Sequence, residues 1–311
     1  MKILIVSSYI FGYIDFLVEE LRNQGYEVQV MYYEKDPLLY QYKNFIHKSI
    51  SGILKIFGIN LKKKNRFKGI YQVNRENKFD KTIVIHGQYL NNKTHVFLKS
   101  ISHQYIAFLF DSMSKMPRQK RILPFFDKIF SYEPRDCKEY GFQFLTNFIP
   151  TEIYRSKSYK YDIFNISSHD NRLSILGKMA DYFNQKGINY KFILVSKRIQ
   201  NLKNFQVIRQ RINTSEAMSW VKESKSILDI QRNDQTGLSF RPFEALGNEK
   251  KLITNNSAIK DYDFYNPNNI CLIDEEDIFI PKEFFESEYE KVPDGIYEKY
   301  TIRGWIKNIV N

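Results

Sequence analysis

The run from Leu228 to Asn256 constrains the fold of this 311-residue chain more than any other stretch. It passes from Leu-Asp-Ile through Gln235-Thr-Gly-Leu-Ser-Phe-Arg-Pro-Phe-Glu-Ala-Leu-Gly247 to Lys250-Lys-Leu-Ile-Thr-Asn-Asn256, and reads as strand, glycine turn, helix, strand. Thr236, Ser239, Arg241 and Glu244 gather around the start of the helix. A helix start carries backbone N–H groups without intrahelical partners and the positive end of the helix dipole, so the turn Gly237-Leu238-Ser239 and Arg241 suit a phosphate. Glu244 falls about one turn further in, where a carboxylate repels phosphate but accepts two hydrogen bonds from a sugar diol. Phosphate beside ribose points to a nucleotide.

The same cycle of short apolar run and helix recurs on both sides of this segment. Residues 3–6 form an apolar run, Ile14, Leu17, Val18 and Leu21 follow at helical spacing, and Tyr26 to Tyr32 alternate as a second strand. Strands are predicted at Thr82 to Ile85, Tyr105 to Phe110 and Lys128 to Ser131, so the first half reads as a parallel sheet flanked by helices. A second series begins near Tyr161. It has strands at 162–166, 191–195, 226–230 and 251–254, with helices at 172–186, 214–224 and 241–246. A terminal helix is expected within Pro293 to Asn311. The polar stretch from Ile149 to Tyr159, with Pro150, is the linker candidate, and no repeat of 20 to 50 residues suggests a solenoid or propeller.

Composition narrows the class. With 43% hydrophobic and 16% aromatic residues the chain has enough apolar material for two folded domains. Cys137 and Cys271 are its only cysteines and lack metal-ligand spacing, so a reducing, cytoplasmic setting is expected. The apolar run at the N-terminus is too short for a signal-peptide core. The net charge of +12 is uneven: residues 1–150 carry 23 Lys and Arg against 13 Asp and Glu, and the remainder is nearly balanced. From Lys43 to Lys68 there are eight cations and no acid, interleaved with Phe45, Ile46, Ile50, Ile53, Leu54, Ile56 and Phe57, mostly at helical spacing. Such a helix can lie on anionic lipid, with Lys62, Lys63, Lys64, Arg66 and Lys68 as the basic surface, or it can pack its apolar side on the domain core.

Two α/β halves with this glycine turn and helix in the second resemble the GT-B glycosyltransferases, and more closely the bacterial enzymes that build capsule, lipopolysaccharide and other surface polysaccharides. The phrases Phe108-Leu-Phe-Asp-Ser112, Phe126-Asp-Lys-Ile-Phe-Ser-Tyr-Glu133 and Tyr262-Asp-Phe-Tyr-Asn-Pro-Asn-Asn-Ile270 add to the likeness, which covers most of the chain and is thin over residues 35–80. The resemblance implies an α/β fold of two Rossmann-like domains facing a central cleft. Residues 1–150 would bind the acceptor and 151–311 the nucleotide-sugar, with the terminal helix packing back on the first domain. It also implies that Glu244 binds the donor ribose and that Gly237 to Ser239 lie beside the diphosphate. Many retaining members have a second glutamate eight positions before the first; here that position is Thr236.

A leaving nucleoside diphosphate needs its growing negative charge stabilised, which cations and helix starts can do without a metal. Arg241 is the first candidate. Arg172, after the turn Ser167-Ser-His-Asp-Asn171, and Lys197, after the strand ending at Val195, are the others, each with an ordinary solvated role as its alternative. An inverting transfer needs a base near the acceptor hydroxyl. Asp111 after the strand at 105–110, Asp15 near the first loop and His86 after the strand at 82–85 are the catalytic candidates, against helix capping for the carboxylates and a structural role for the histidine. Glu133 is secondary because Pro134 favours a turn, and Tyr9 to Tyr13 would border the acceptor.

No metal or other cofactor is expected, since Asp261 and Asp263, the one pair with Asp-x-Asp spacing considered, read as a polar turn. The Gly-x-Ser-x-Gly, Walker and Gly-x-Gly-x-x-Gly patterns are absent. The leading expectation is a metal-independent enzyme moving sugar from a nucleoside-diphosphate sugar donor to a glycan or lipid-linked glycan acceptor, peripheral on the inner face of the membrane. A nucleotide-sugar epimerase or hydrolase on the same fold is the enzymatic alternative. A basic nucleic-acid-binding protein is the non-enzymatic one, though no groove-reading module accompanies the charge and no nucleic-acid partner is expected.

Overall fold

The structure is a computed structural model that describes residues 1–8, 12–33, 41–61, 78–150, 158–198, 201–210, 212 and 214–310. It divides into two compact units, Met1–Phe144 with Val310, and Leu145–Ile309. The sequence reading places the division at 150. Most of the linker candidate, and the basic residues Lys62, Lys63, Lys64, Arg66 and Lys68, lie outside the described residues, as do Tyr9 and Phe11.

The first unit runs β1 Lys2–Ser7, α1 Tyr13–Asn23, β2 Glu27–Tyr32, α2 Phe45–Ile56, β3 Phe79–Ile85, α3 Asn92–Ser100, β4 Ser102–Leu109, β5 Lys128–Ser131, α4 Pro134–Tyr140 and β6 Gln143–Phe144. Its strands form one parallel sheet in the order β2-β1-β3-β4-β5-β6. Ile3 to Val6 are fully buried because helices cover both faces of a parallel sheet, which is why β1 reads as an unbroken apolar run. The order reverses between β1 and β3. In open α/β sheets such a reversal is the general place for ligands, at the carboxyl ends of the strands.

The second unit runs β7 Tyr161–Ser168, α5 Leu173–Lys186, β8 Tyr190–Val195, β9 Gln206–Ile208, α6 Thr214–Lys222, β10 Ser224–Asp229, α7 Phe240–Gly247, β11 Lys251–Thr254, β12 Ile270–Leu272, α8 Lys282–Glu286, α9 Asp294–Tyr300 and α10 Ile302–Val310. Its six parallel strands follow the order β12-β11-β10-β7-β8-β9, the Rossmann arrangement, with the reversal between β7 and β10. Strand geometry builds its two cores. Phe164, Ile227 and Leu252 join the cluster on one face, while the adjacent Ile163, Leu228 and Ile253 join the cluster on the other. The pairing Ile227 to Leu252 and Leu228 to Ile253 keeps both sets in register, and carries Asp229 to the carboxyl end of the sheet.

Two expectations change. The single terminal helix is two helices separated at Thr301, whose backbone is extended and bridges to Ile149. The Thr301 hydroxyl accepts from the Gly304 amide at 3.1 Å and so starts the second helix. In α2 only Ser51 is buried, so packing of its apolar side on the domain core is not what the structure has. The helix turns that side outward.

Candidate functional site

In the first unit residues that follow β1, β2 and β4 converge on one histidine that follows β3. His86 follows β3; its Nδ1 lies 2.7 Å from the hydroxyl of Ser8, just after β1. Its Nε2 lies 3.2 Å from Asp111 Oδ2, just beyond β4, an ion-pair distance off the line of a hydrogen bond. The Tyr33 hydroxyl, after β2, donates to the His86 carbonyl at 2.8 Å. His86 has φ +60°, a left-handed backbone uncommon outside glycine, of the kind that clusters at functional sites. The tautomer that fits carries its proton on Nε2, facing the carboxylate, with Nδ1 accepting from Ser8.

Asp111 is 8% exposed, and burial alone would raise its pKa. The His86 ring and the paired Lys115 ammonium outweigh burial and hold the carboxyl below its ordinary range. It is thus a persistent anion beside the imidazole, and no helix cap. Gln88, 6% exposed and two residues past His86, has no hydrogen-bond partner for either amide atom among the described residues. Buried polar groups of this kind are the exceptions that ligands or ordered water usually explain.

Asp15 is not part of this group. It is exposed in the first turn of α1, where it accepts from the Tyr32 hydroxyl. Glu133 is the N-cap of α4, accepting from the Arg135 amide at 3.4 Å, and Tyr13 is buried in α1. His95 is a core residue between the Tyr105 hydroxyl (2.8 Å) and the Gly87 carbonyl (3.0 Å), stacked on Phe125.

In the second unit the loops after β7 and β10 are tied together by arginine. Arg172 donates to both oxygens of Asp170 at 2.9 and 2.8 Å and to the Ile230 carbonyl at 3.1 Å, so one guanidinium bridges the two sides of the topological switch. Asp229, the last residue of β10, accepts from the Ser239 hydroxyl at 3.2 Å, and that hydroxyl in turn accepts from the Arg241 amide at 3.1 Å as the N-cap of α7. Burial raises the Asp229 pKa, with Arg172, Arg241 and Ser239 opposing it and Glu244 reinforcing it. Glu244 is fully buried and paired with the Arg241 guanidinium. Arg232, about one-third exposed, reaches Asp234 at 3.1 Å and lies 3.8 Å from Asp170.

The turn before α7 is held by its carbonyls. Asn256 donates to Thr236 O at 3.1 Å, Gln231 to Gly237 O at 2.8 Å and Asn147 to Leu238 O at 2.9 Å. Three side-chain amides therefore fix three successive peptide planes of an otherwise irregular loop. The Leu238 side chain belongs to the core, 1% exposed, so the backbone alone is its means of touching a ligand.

Of the predicted donor residues, Arg172, Ser239, Arg241 and Glu244 come together and Thr236, Gly237 and Leu238 form the adjoining turn. Lys197 stands apart, exposed after β8. Sequence reasoning missed Ser8, Lys115, Gln88, Asp229 and Arg232. Ser8 and Asp229 had a usable signal, being the polar residues that end apolar parallel strands. Gln88 and Lys115 had none, because only the folded loops bring them near His86 and Asp111. Asp263 accepts from the Tyr300 hydroxyl at 2.6 Å and from Lys299, and among the described residues no group of three His, Cys, Asp or Glu could hold a metal ion.

No family model and no curated protein matches the chain. Solved structures do match in fold. A UDP-N-acetylglucosamine 2-epimerase from Rickettsia bellii superposes with TM-score 0.55 at 10% identity, covering 100% of this chain and 96% of its own. An α,α-trehalose-phosphate synthase (UDP-forming) from Burkholderia xenovorans, in complex with glucose-6-phosphate, gives 0.52 at 10% identity, with 100% and 99% covered. A UDP-GlcNAc 2-epimerase from Neisseria meningitidis bound to UDP-GlcNAc gives 0.50 at 11% identity, with 100% and 98% covered. With its two six-stranded parallel sheets and flanking helices, the chain has the α/β GT-B fold of these glycosyltransferase and epimerase structures.

Proposed function

We propose that this chain is a glycosyltransferase that moves a sugar from a nucleoside-diphosphate donor, held by the second unit, to a hydroxyl of a glycan, with a lipid-linked bacterial surface glycan as the acceptor class. The observation that carries the reading is the cluster of Arg172, Asp229, Ser239, Arg241 and Glu244 at the β7/β10 switch of a Rossmann-ordered sheet. A diphosphate at the α7 start draws on helix-terminal N–H groups and re-pairs Arg241 and Arg232, which spreads the leaving-group charge without requiring a metal. Arg241, once turned to phosphate, releases the Glu244 carboxylate to a ribose diol.

In the first unit His86 acts as the base. It takes the acceptor proton at Nδ1 through the Ser8 hydroxyl, while Asp111 stabilises the resulting imidazolium. Gln88 supplies an amide to a second acceptor group. His86→Ala and Asp111→Asn then lower turnover by about 10²- to 10⁴-fold while nucleotide affinity stays at the parent value. Loss of nucleotide binding in both variants counts against this division of labour.

A second reading draws on the likeness to 2-epimerases: a nucleotide-sugar epimerase or hydrolase with the same donor residues and no acceptor. Product analysis separates them. Release of nucleoside diphosphate only when a glycan hydroxyl is supplied supports transfer, whereas an epimeric or free sugar from donor alone overturns it.

A further inference from the structure

Helix α2 is built inside out for a surface helix. Phe45, Ile46, Ile50, Ile53, Ile56 and Phe57 are each between 48% and 83% exposed, and at 100° per residue they project within an arc of about 140°. Ser51, the buried residue of α2, lies opposite that arc, with Lys48 and Lys55 beside it on the polar side. The helix therefore presents an apolar stripe outward, with its one buried residue on the opposite side. Asn44 caps it, accepting from the His47 amide at 2.8 Å, so the helix has a defined start.

An apolar stripe of this size on a folded surface marks an interaction site, and the charge around it selects the occupant. No acidic residue occurs from Lys43 to Lys68, while eight cations do. A second copy of the chain would bring the same positive charge to the contact. A three-turn helix, about 18 Å long, also offers much less than the about 800 Å² per partner of a typical stable dimer. A bilayer with anionic headgroups suits both halves of the pattern: its negative surface potential attracts the segment's net positive charge over about a Debye length, and the acyl boundary takes the isoleucine and phenylalanine side chains. No helix among the described residues is long and apolar enough to cross a membrane, which fits docking in the plane of the interface.

We propose that α2 docks the protein on an anionic lipid surface, lying parallel to it with the Phe45 to Phe57 stripe inserted. Vesicle binding is read without turnover, so this stands or falls separately from the donor chemistry. The test is co-sedimentation of the full chain with vesicles of phosphatidylcholine and phosphatidylglycerol (3:1) and with phosphatidylcholine alone. The parent partitions at least about tenfold better to the anionic vesicles, and added salt weakens it. Ile53→Asp with Phe57→Asp, both exposed positions, lowers partitioning at least about tenfold with an unchanged circular dichroism spectrum. Neutralising Lys62, Lys63 and Lys64 to Gln weakens it several-fold while nucleotide binding is kept. Equal partitioning of parent and Ile53→Asp/Phe57→Asp overturns the proposal. So does equal binding to both vesicles, or a parent dimer in size-exclusion chromatography that the same pair of substitutions dissociates.

Discussion

At the scale of single residues, the cluster around Arg241 and Glu244 is governed by the cost of leaving a charge buried without its partner. Glu244 is fully buried and the Arg241 guanidinium sits against it, so Arg241→Ala strands a carboxylate and lowers unfolding free energy by about 3 kcal/mol. Urea melts check this, and a double-mutant cycle sharpens it. Arg241→Met combined with Glu244→Gln should cost clearly less than the two single changes summed, because the second removes the charge the first exposes. Strict additivity would mean the two side chains act independently. Nucleotide affinity is therefore best read in Glu244→Gln, since in Arg241→Ala a binding loss and a folding loss coincide.

His95 supplies the pH dependence. Burial depresses its pKa from 6.5 to about 4, with Arg121 adding to the shift and the Gly87 carbonyl opposing it. The unfolded chain then binds more protons than the folded one between these values. The contribution is complete above pH 6.5 and is lost as pH falls through about 4, on the order of 3 kcal/mol in all. Chemical denaturation at pH 7 and pH 4.5 should show that loss shrinking in His95→Gln. An equal pH dependence in parent and variant places the titration elsewhere. Burial likewise pushes the thiols of Cys137 and Cys271 up to about 11, so both should alkylate slowly at pH 8 until the chain is unfolded.

At the scale of elements, the sequence was most legible where apolar periodicity and glycine punctuation agreed. The strands at Lys128–Ser131 and Lys251–Thr254 match expectation to the residue, and α5 begins one residue after its predicted start at Arg172. The short edge strands β6, β9 and β12 were missed because two or three residues carry no period, and only sheet neighbours make them strands. The terminal segment read as one helix since its apolar spacing runs through Thr301. What divides it is contact: a Cβ on Gly304 would lie 2.2 Å from the Glu298 carbonyl oxygen and 2.7 Å from that of Lys299, on the last turn of α9. Gly304→Ala should therefore destabilise by about 1–3 kcal/mol despite the higher helix propensity of alanine. A thermal melt at or above the parent value would show that the two helices can part at little cost. The candidate sites were half legible. Glycine, serine, arginine and glutamate around α7 stood out as a linear motif, whereas the Ser8, His86 and Asp111 group is spread over about a hundred residues and exists only once β1, β3 and β4 are adjacent.

At the scale of the whole molecule, two parallel sheets each reverse strand order once, and each reversal carries polar side chains of a different character. The first gathers a histidine, a carboxylate, a hydroxyl and an unpartnered amide, the equipment of proton transfer. The second gathers arginines and a capped helix start, the equipment for holding an anion. Basic charge concentrates in the first unit and leaves the second nearly neutral, so the proposed lipid docking and the proposed nucleotide site would draw on different parts of the chain. The most direct measurement is a thermal-shift titration of the parent and Glu244→Gln with UDP, GDP, CMP, ADP and TDP. A ligand present at about 100 times its dissociation constant adds about 2.7 kcal/mol to the folded state. A selective rise in melting temperature with one nucleoside diphosphate, diminished in Glu244→Gln, is the expected result; no rise with any of the five, or an equal rise in parent and variant, contradicts a nucleotide-sugar site at α7.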